Sequence, residues 1–240
     1  MKSICVIKAG TTFPKVKDEY DDFDLWTIRS MGISQDEATV IDIQNMEPLP
    51  EYSECRGVVI TGSHAMVTDH LVWSDLLLEW IPGLVKCEIP FMGICYGHQL
   101  LIEAMGGKVG FHPKGEEIGT VEITLSSEAN NDPLFKDMPA SIPVHVTHAQ
   151  SALMIPAGAT ILASNDYEPY HAIRVGNRAW GVQFHPEYNI DIMKAYIKNQ
   201  AEDLIASGRN IDEIMMTVKE TPHASSIMKR FTQVCKQDNF

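Results

Sequence analysis

Ile89-Pro90-Phe91-Met92-Gly93-Ile94-Cys95-Tyr96-Gly97-His98-Gln99-Leu100-Leu101 reads as a strand, a tight turn and the first turns of a helix. The run 89–94 is short, apolar and bounded by punctuating residues, the pattern of a buried strand, and a helix is predicted from Tyr96 onward. A glycine stands two residues before the cysteine and another two residues after it. A sharp strand-to-helix turn needs small residues there, because side chains would strike the neighbouring strand and helix while the apex residue projects outward. Cys95 then sits at a helix N-terminus, where unpaired N–H groups and the helix dipole favour a thiolate. Taken by itself, a free cysteine in a buried turn is more often just a small apolar side chain.

On the N-terminal side of this elbow, apolar runs at 4–9, 38–43 and 57–60 read as strands, and helical patterns at 17–31 and 73–85 alternate with them. Strands alternating with helices predict an α/β fold with a mostly parallel central sheet flanked by helices, and its chemistry at the carboxyl ends of the strands. Past Gly107 the rhythm changes. Short runs at 109–112, 118–125, 142–148, 160–163 and 171–175 follow one another without long helices, which predicts a smaller antiparallel or mixed sheet. A Gly176-Asn177 turn marks a hairpin whose second arm, 179–184, delivers His185. Helices at 190–206, after Asn210 and at 225–235 close the chain. With no repeat, low-complexity tract or linker, one domain over 1–240 is expected, made of a catalytic core at 1–187 and closing helices at 188–240.

The hairpin arm runs into a second motif, Gln183-Phe184-His185-Pro186-Glu187. Residues i and i+2 of an extended chain face one side, so Glu187 is placed to keep one imidazole nitrogen of His185 protonated while the other takes a proton from a thiol. A His-Pro-Glu at a strand end is by itself usually a surface turn; beside a cysteine elbow it completes a Cys95, His185, Glu187 set.

Together, the elbow at 93–99 and the motif at 183–187 resemble the signatures of the class I glutamine amidotransferases, Gly-x-Cys-x-Gly-x-Gln and Gln-Phe-His-Pro-Glu. The resemblance implies the flavodoxin-like fold of that family and extends from the first strand to Glu187, with most similarity to the glutaminase half of GMP synthetase and its stand-alone relatives. It implies an oxyanion hole from the N–H groups of Gly62 and Tyr96. The family's Gly-Gly-Pro loop is here Thr61-Gly62-Ser63, with only the central glycine kept. It also implies a glutamine-contacting role for Gln99, and a substrate loop at Thr147, His148, Ala149 and Gln150. The implied reaction is attack of the Cys95 sulfur on the side-chain amide of glutamine, or of another γ-glutamyl compound, through a γ-glutamyl thioester. His185 takes the thiol proton, passes it to the departing nitrogen and then activates water. No metal or other cofactor is called for. Three readings stay open: a glutaminase that supplies ammonia to a separate synthase, a γ-glutamyl peptidase for glutathione-like compounds, and a regulatory module that keeps the fold without catalysis. The ATP-pyrophosphate loop of a synthase is not found in the sequence.

Composition narrows the alternatives. Of 240 residues 45% are hydrophobic, enough for a sizeable core, and the formal net charge of −13 argues against nucleic acid as a partner. No apolar run approaches the roughly 20 residues of a membrane helix, and the run at 4–9 is too short for a signal peptide, so no membrane partner and a cytoplasmic location are expected. The five cysteines include no C-x-x-C pair, so neither a zinc ribbon nor disulfides are expected. His64 and His70 are read as loop histidines without a role, and His98 as helix packing. His145 and His148 face opposite sides of a strand, which argues against a shared metal. The acidic run at 18–24 reads as a solvated helix face. The oligomeric state is left open.

Overall fold

The computed structural model describes residues 2–237. Among the described residues there are eleven strands: β1 (Ser3–Lys8), β2 (Ala38–Asp42), β3 (Cys55–Ile60), β4 (Phe91–Ile94), β5 (Lys108–Phe111), β6 (Glu117–Leu125), β7 (Ser141–His148), β8 (Gln150–Met154), β9 (Thr160–Ser164), β10 (Ala172–Val175) and β11 (Ala179–Val182). The helices are α1 (Pro14–Tyr20), α2 (Phe23–Met31), α3 (Val72–Lys86), α4 (Tyr96–Ala104), α5 (Ile190–Asn199), α6 (Ala201–Ala206), α7 (Ile211–Thr217) and α8 (Pro222–Gln237).

Nine strands form one sheet in the order β2-β1-β3-β4-β11-β10-β9-β6-β7, and β5 and β8 form a separate antiparallel pair. Strands β2, β1, β3, β4 and β11 run parallel, and the rest of the large sheet is antiparallel. The parallel sheet and small second sheet of the sequence reading are both present. The difference is that most of the later strands extend the main sheet instead of building their own. The cause is the hairpin: its three-residue turn at 176–178, with Gly176 at φ +60°, returns β11 to pair in parallel with β4 and leaves β10 as the edge on which β9 and β6 add.

The continuous apolar strands follow from burial on both faces. Ile4 and Val6 of β1 point into a cluster with Ile28 and Met31 of α2 and Ile227, Met228 and Phe231 of α8. Cys5 and Ile7 point to the other side, into a cluster with Leu77, Ile81 and Leu84 of α3 and Leu100 and Leu101 of α4. A third cluster, joining Trp26, Tyr188, Tyr196 and Ile214, closes the end of the sheet where the parallel strands stop.

The helix expected over 17–31 is two helices. Asp21 has φ +72°, and Asp22 caps α2 by accepting the Phe23 N–H at 2.9 Å. Asp22 is buried, 2.8 Å from Lys8 Nζ, and also takes the Thr12 N–H, so this part of the acidic run ties the end of β1 to α2 instead of facing solvent. Its carboxyl stays below the usual range although burial alone would raise it, because Lys8 and the two backbone N–H groups outweigh that effect. Strand β8, unassigned in the sequence reading, begins at Gln150 directly after the break at Ala149.

Candidate active site

Four segments converge where the parallel strands end. They are the elbow after β4, the Thr61-Gly62-Ser63 loop after β3, the 183–188 segment after β11 and the 147–150 corner between β7 and β8. Together with residues of α5 and α6 they line a cavity of about 330 Å³.

The elbow is as tight as its glycines imply. Cys95 has φ +49° and ψ −96°, a strained conformation for a residue with a side chain. A Cβ on Gly93 would lie 2.3 Å from the Gly97 carbonyl oxygen, and one on Gly97 would lie 2.4 Å from that of Ile60. The strand therefore enters and the helix leaves with backbone against backbone. Cys95 is held by its own N–H on the Val182 carbonyl at 2.8 Å and by the Gln99 N–H on its carbonyl at 3.1 Å. Tyr96 is the first helical residue, so its N–H has no acceptor within α4. The phenol of Tyr96 points away to Ser74 Oγ at 2.7 Å.

His185 and Glu187 are both buried, and His185 donates from Nδ1 to Glu187 Oε1 at 2.7 Å. The pairing arises through a turn, closed by Tyr188 N–H on the His185 carbonyl, instead of the extended segment expected from sequence; strand β11 ends at Val182. Burial alone would strip the proton from His185. The Glu187 carboxylate and then Cys95 outweigh that and raise the ring to about 10. The Gly62 loop abuts the imidazole: a Cβ on Gly62 would come within 3.0 Å of His185 Cε1.

The 147–150 segment, expected to contact substrate, lies at the cavity with its side chains largely committed elsewhere. The Thr147 carbonyl lies 3.9 Å from Cys95 Sγ, and its hydroxyl accepts from Gln200 Nε2. His148 donates from Nε2 to Glu117 Oε2 and from Nδ1 to the Gln150 carbonyl, each at 3.0 Å. Glu117 stays below the usual carboxylate range against its burial because His148 and His171 both act on it. Ala149 turns its carbonyl to the His112 N–H, and Gln150 spends its side chain on Val67 N–H and Thr68 Oγ1. Gln99 donates from Nε2 to the Gln150 carbonyl at 2.8 Å and to Gln183 Oε1 at 3.0 Å.

Sequence reasoning missed the aromatic wall. Tyr188 stacks on His185 with ring centroids 4.1 Å apart. Tyr196 joins Thr12 Oγ1 at 2.7 Å to His64 Nε2 at 3.3 Å, and Phe13 packs on His64 at 4.4 Å. His64 is thus part of the cavity wall, and burial, then the neighbouring His185, push its protonation below the ordinary range. The available signal was the pair of tyrosines that follow the second motif, Tyr188 and Tyr196, whereas Phe13 lies far from both motifs in the sequence. Periodicity assigns no such side chain to a site wall.

Residues 15–204 match the family model for glutamine amidotransferase class-I. The chain belongs to that family. It is 33% identical over 142 residues to gamma-glutamyl peptidase 3 of Arabidopsis thaliana, covering 57% of this chain and 56% of the peptidase. It is 32% identical over 152 residues to the glutamine-hydrolysing GMP synthase of Porphyromonas gingivalis, covering 62% of this chain and 28% of the synthase. The chain thus matches little more than half of one relative's length and under a third of the other's. A glutamine amidotransferase from Thermotoga maritima shares the fold with a TM-score of 0.77 at 22% identity, over 98% of both chains.

Proposed function

We propose that this chain hydrolyses the side-chain amide of glutamine, or of a related γ-glutamyl compound, with Cys95 as nucleophile, His185 as proton carrier and Glu187 as its orienting partner. One observation carries the reading: His185, in a buried 2.7 Å bond to Glu187, and Cys95, held on a strained elbow, line the same cavity. With the ring raised to about 10, His185 is an imidazolium at neutral pH, and the Cys95 sulfur has a cation beside it. Attack of the sulfur on the amide carbon pushes charge onto the carbonyl oxygen, which the N–H groups of Tyr96 and Gly62 receive. His185 gives its Nε2 proton to the leaving nitrogen, and the γ-glutamyl thioester forms. Water, deprotonated by the now neutral ring, then attacks the thioester, releasing glutamate and the Cys95 sulfur and returning a proton to His185. Glu187 keeps Nδ1 as the donor throughout. Gln99, Thr147, His148, Ala149 and Gln150 shape the acyl side of the cavity, His148 and Gln150 through their fixed backbone corner.

A second reading concerns the leaving group. The likeness to a γ-glutamyl peptidase and the aromatic wall of Phe13, His64, Tyr188 and Tyr196 beside His185 favour an amine larger than ammonia. The likeness to GMP synthase favours ammonia passed to a separate synthase. Glutamate release by the purified protein, with glutamine and a γ-glutamyl peptide supplied separately, tests both. Release from either substrate, lost in Cys95→Ala, is expected. Release that survives Cys95→Ala overturns the reading, and no release from either substrate in a folded protein favours a chain that acts only with a partner or not at all.

A further inference from the structure

Gln183 opens the second sequence motif, is fully buried, and takes no part in the chemistry described above. Its amide lies behind the nucleophile, with Nε2 3.5 Å from Cys95 Sγ. Which end of that amide faces the sulfur is fixed by a chain of donors and acceptors. The Gln150 backbone carbonyl can only accept, so the Gln99 atom 2.8 Å from it is the NH2 group. The same nitrogen reaches Gln183 at 3.0 Å, where it needs an acceptor, so the Gln183 atom there is Oε1. The remaining end of Gln183, its NH2, is left toward Cys95. His148 Nδ1 donates to the same Gln150 carbonyl at 3.0 Å and fixes it in place. A Gln99 that donates into the oxygen of Gln183 also polarises that amide and strengthens its N–H as a donor.

We propose that Gln183 is a further catalytic residue, whose amide N–H donates to the Cys95 sulfur and is oriented for that task by Gln99 and the Gln150 carbonyl. The proposal rests on the reading of Cys95 as nucleophile. Before attack, the donor favours sulfur in its anionic form, as the neighbouring His185 does. During deacylation the carbon–sulfur bond breaks, the sulfur takes the electron pair, and the Gln183 N–H receives the charge that appears there. Gln183 carries no proton to or from the substrate. Its contribution is a fixed dipole at the atom that alternates between thiolate and thioester.

The test is alkylation of Cys95 by iodoacetamide, followed by peptide mass so that the exposed Cys87 is counted separately. His185 is the titratable group that faces the sulfur. It keeps its proton through pH 7 to 9, since its ring is raised to about 10, and Tyr188 is held neutral by burial over the same interval. Wild type and Gln183→Leu are compared at pH 7 and pH 9. A hydrogen bond to a charged group is worth enough that Gln183→Leu is expected to alkylate about tenfold more slowly at pH 7, with most of the gap closed at pH 9. Gln99→Leu never touches the sulfur; it frees the Gln183 amide to turn, and is expected to show the same pH signature at about threefold. Equal rates for Gln183→Leu and wild type at pH 7 overturn the proposal, as does a loss that is the same at both pH values. If Gln183→Leu does not fold, Gln99→Leu decides, and a wild-type rate there overturns it. Failure of the wild-type Cys95 to alkylate faster than Cys87 at pH 7 overturns the reading of Cys95 itself, a separate result.

Discussion

Glu187 governs how far into alkaline solution His185 keeps its proton. Burial opposes the charged ring, and the carboxylate at 2.7 Å, followed by Cys95, reverses the balance and lifts it to about 10 from an ordinary value near 6.5. Because the folded value is raised, the pair stabilises the protein fully below about pH 6.5, and that contribution fades as pH climbs from there through about 10. In the proposed reaction the same proton is donated to the leaving nitrogen, so hydrolysis is expected to fall on its alkaline side near pH 10. In Glu187→Gln the desolvation remains and its main counterweight is gone, so the alkaline limb is expected to move well below pH 10, with residual turnover at lower pH. A pH–rate profile of glutamate release from pH 5 to 11 checks this. A limb left near pH 10 in the variant would mean that the carboxylate does not hold the ring.

At the scale of elements, the elbow was legible because its geometry leaves the sequence no choice: contacts of 2.3 Å and 2.4 Å await a Cβ at Gly93 and Gly97. The neighbours are backbone carbonyls of β3 and α4, which cannot step aside as a side chain can. Gly97→Ala is therefore expected to cost about 1–3 kcal/mol of stability, read as a lower urea midpoint with an unchanged slope. A midpoint equal to wild type would show that β3 and α4 can separate, and would remove the reason for a glycine there. Other elements were not legible because tertiary context overrode the local pattern. Asp22 reads as one acid among several in a run, and only the arrival of Lys8 and Thr12 from β1 makes it a buried cap. The 147–150 corner reads as one loop, but β8 starts inside it because β5 supplies a partner for Gln150 to Met154. Gln183 was visible only as a letter in a motif, since its role depends on which amide end meets Gln99 and no spacing rule encodes that.

For the whole molecule, the sheet separates what holds the fold from what forms the site. Helix α8 lies along one face, where Phe231 is fully buried and packs edge-on to Trp180 of β11 with ring centroids 6.3 Å apart. The next residue on that strand, Gly181, turns to the opposite face, where a Cβ would strike His98 of α4 at 2.5 Å. The site occupies neither face; it sits past the ends of the parallel strands, where the elbow, the Gly62 loop and the 183–188 segment emerge. A defect in the α8 interface should thus reach global stability before it reaches the cavity. Phe231→Ala removes a buried ring and leaves a void that neighbouring residues fill only in part, which is expected to cost about 3–5 kcal/mol in urea unfolding. At temperatures where the variant remains folded, its rate of Cys95 alkylation at pH 7 should stay within about twofold of wild type, because the aromatic partner of the deleted ring, Trp180, is not among the residues that line the cavity, and distant sites behave additively. A tenfold slower alkylation in a folded Phe231→Ala protein would mean that α8 positions the strand ends, and that core and site are one mechanical unit.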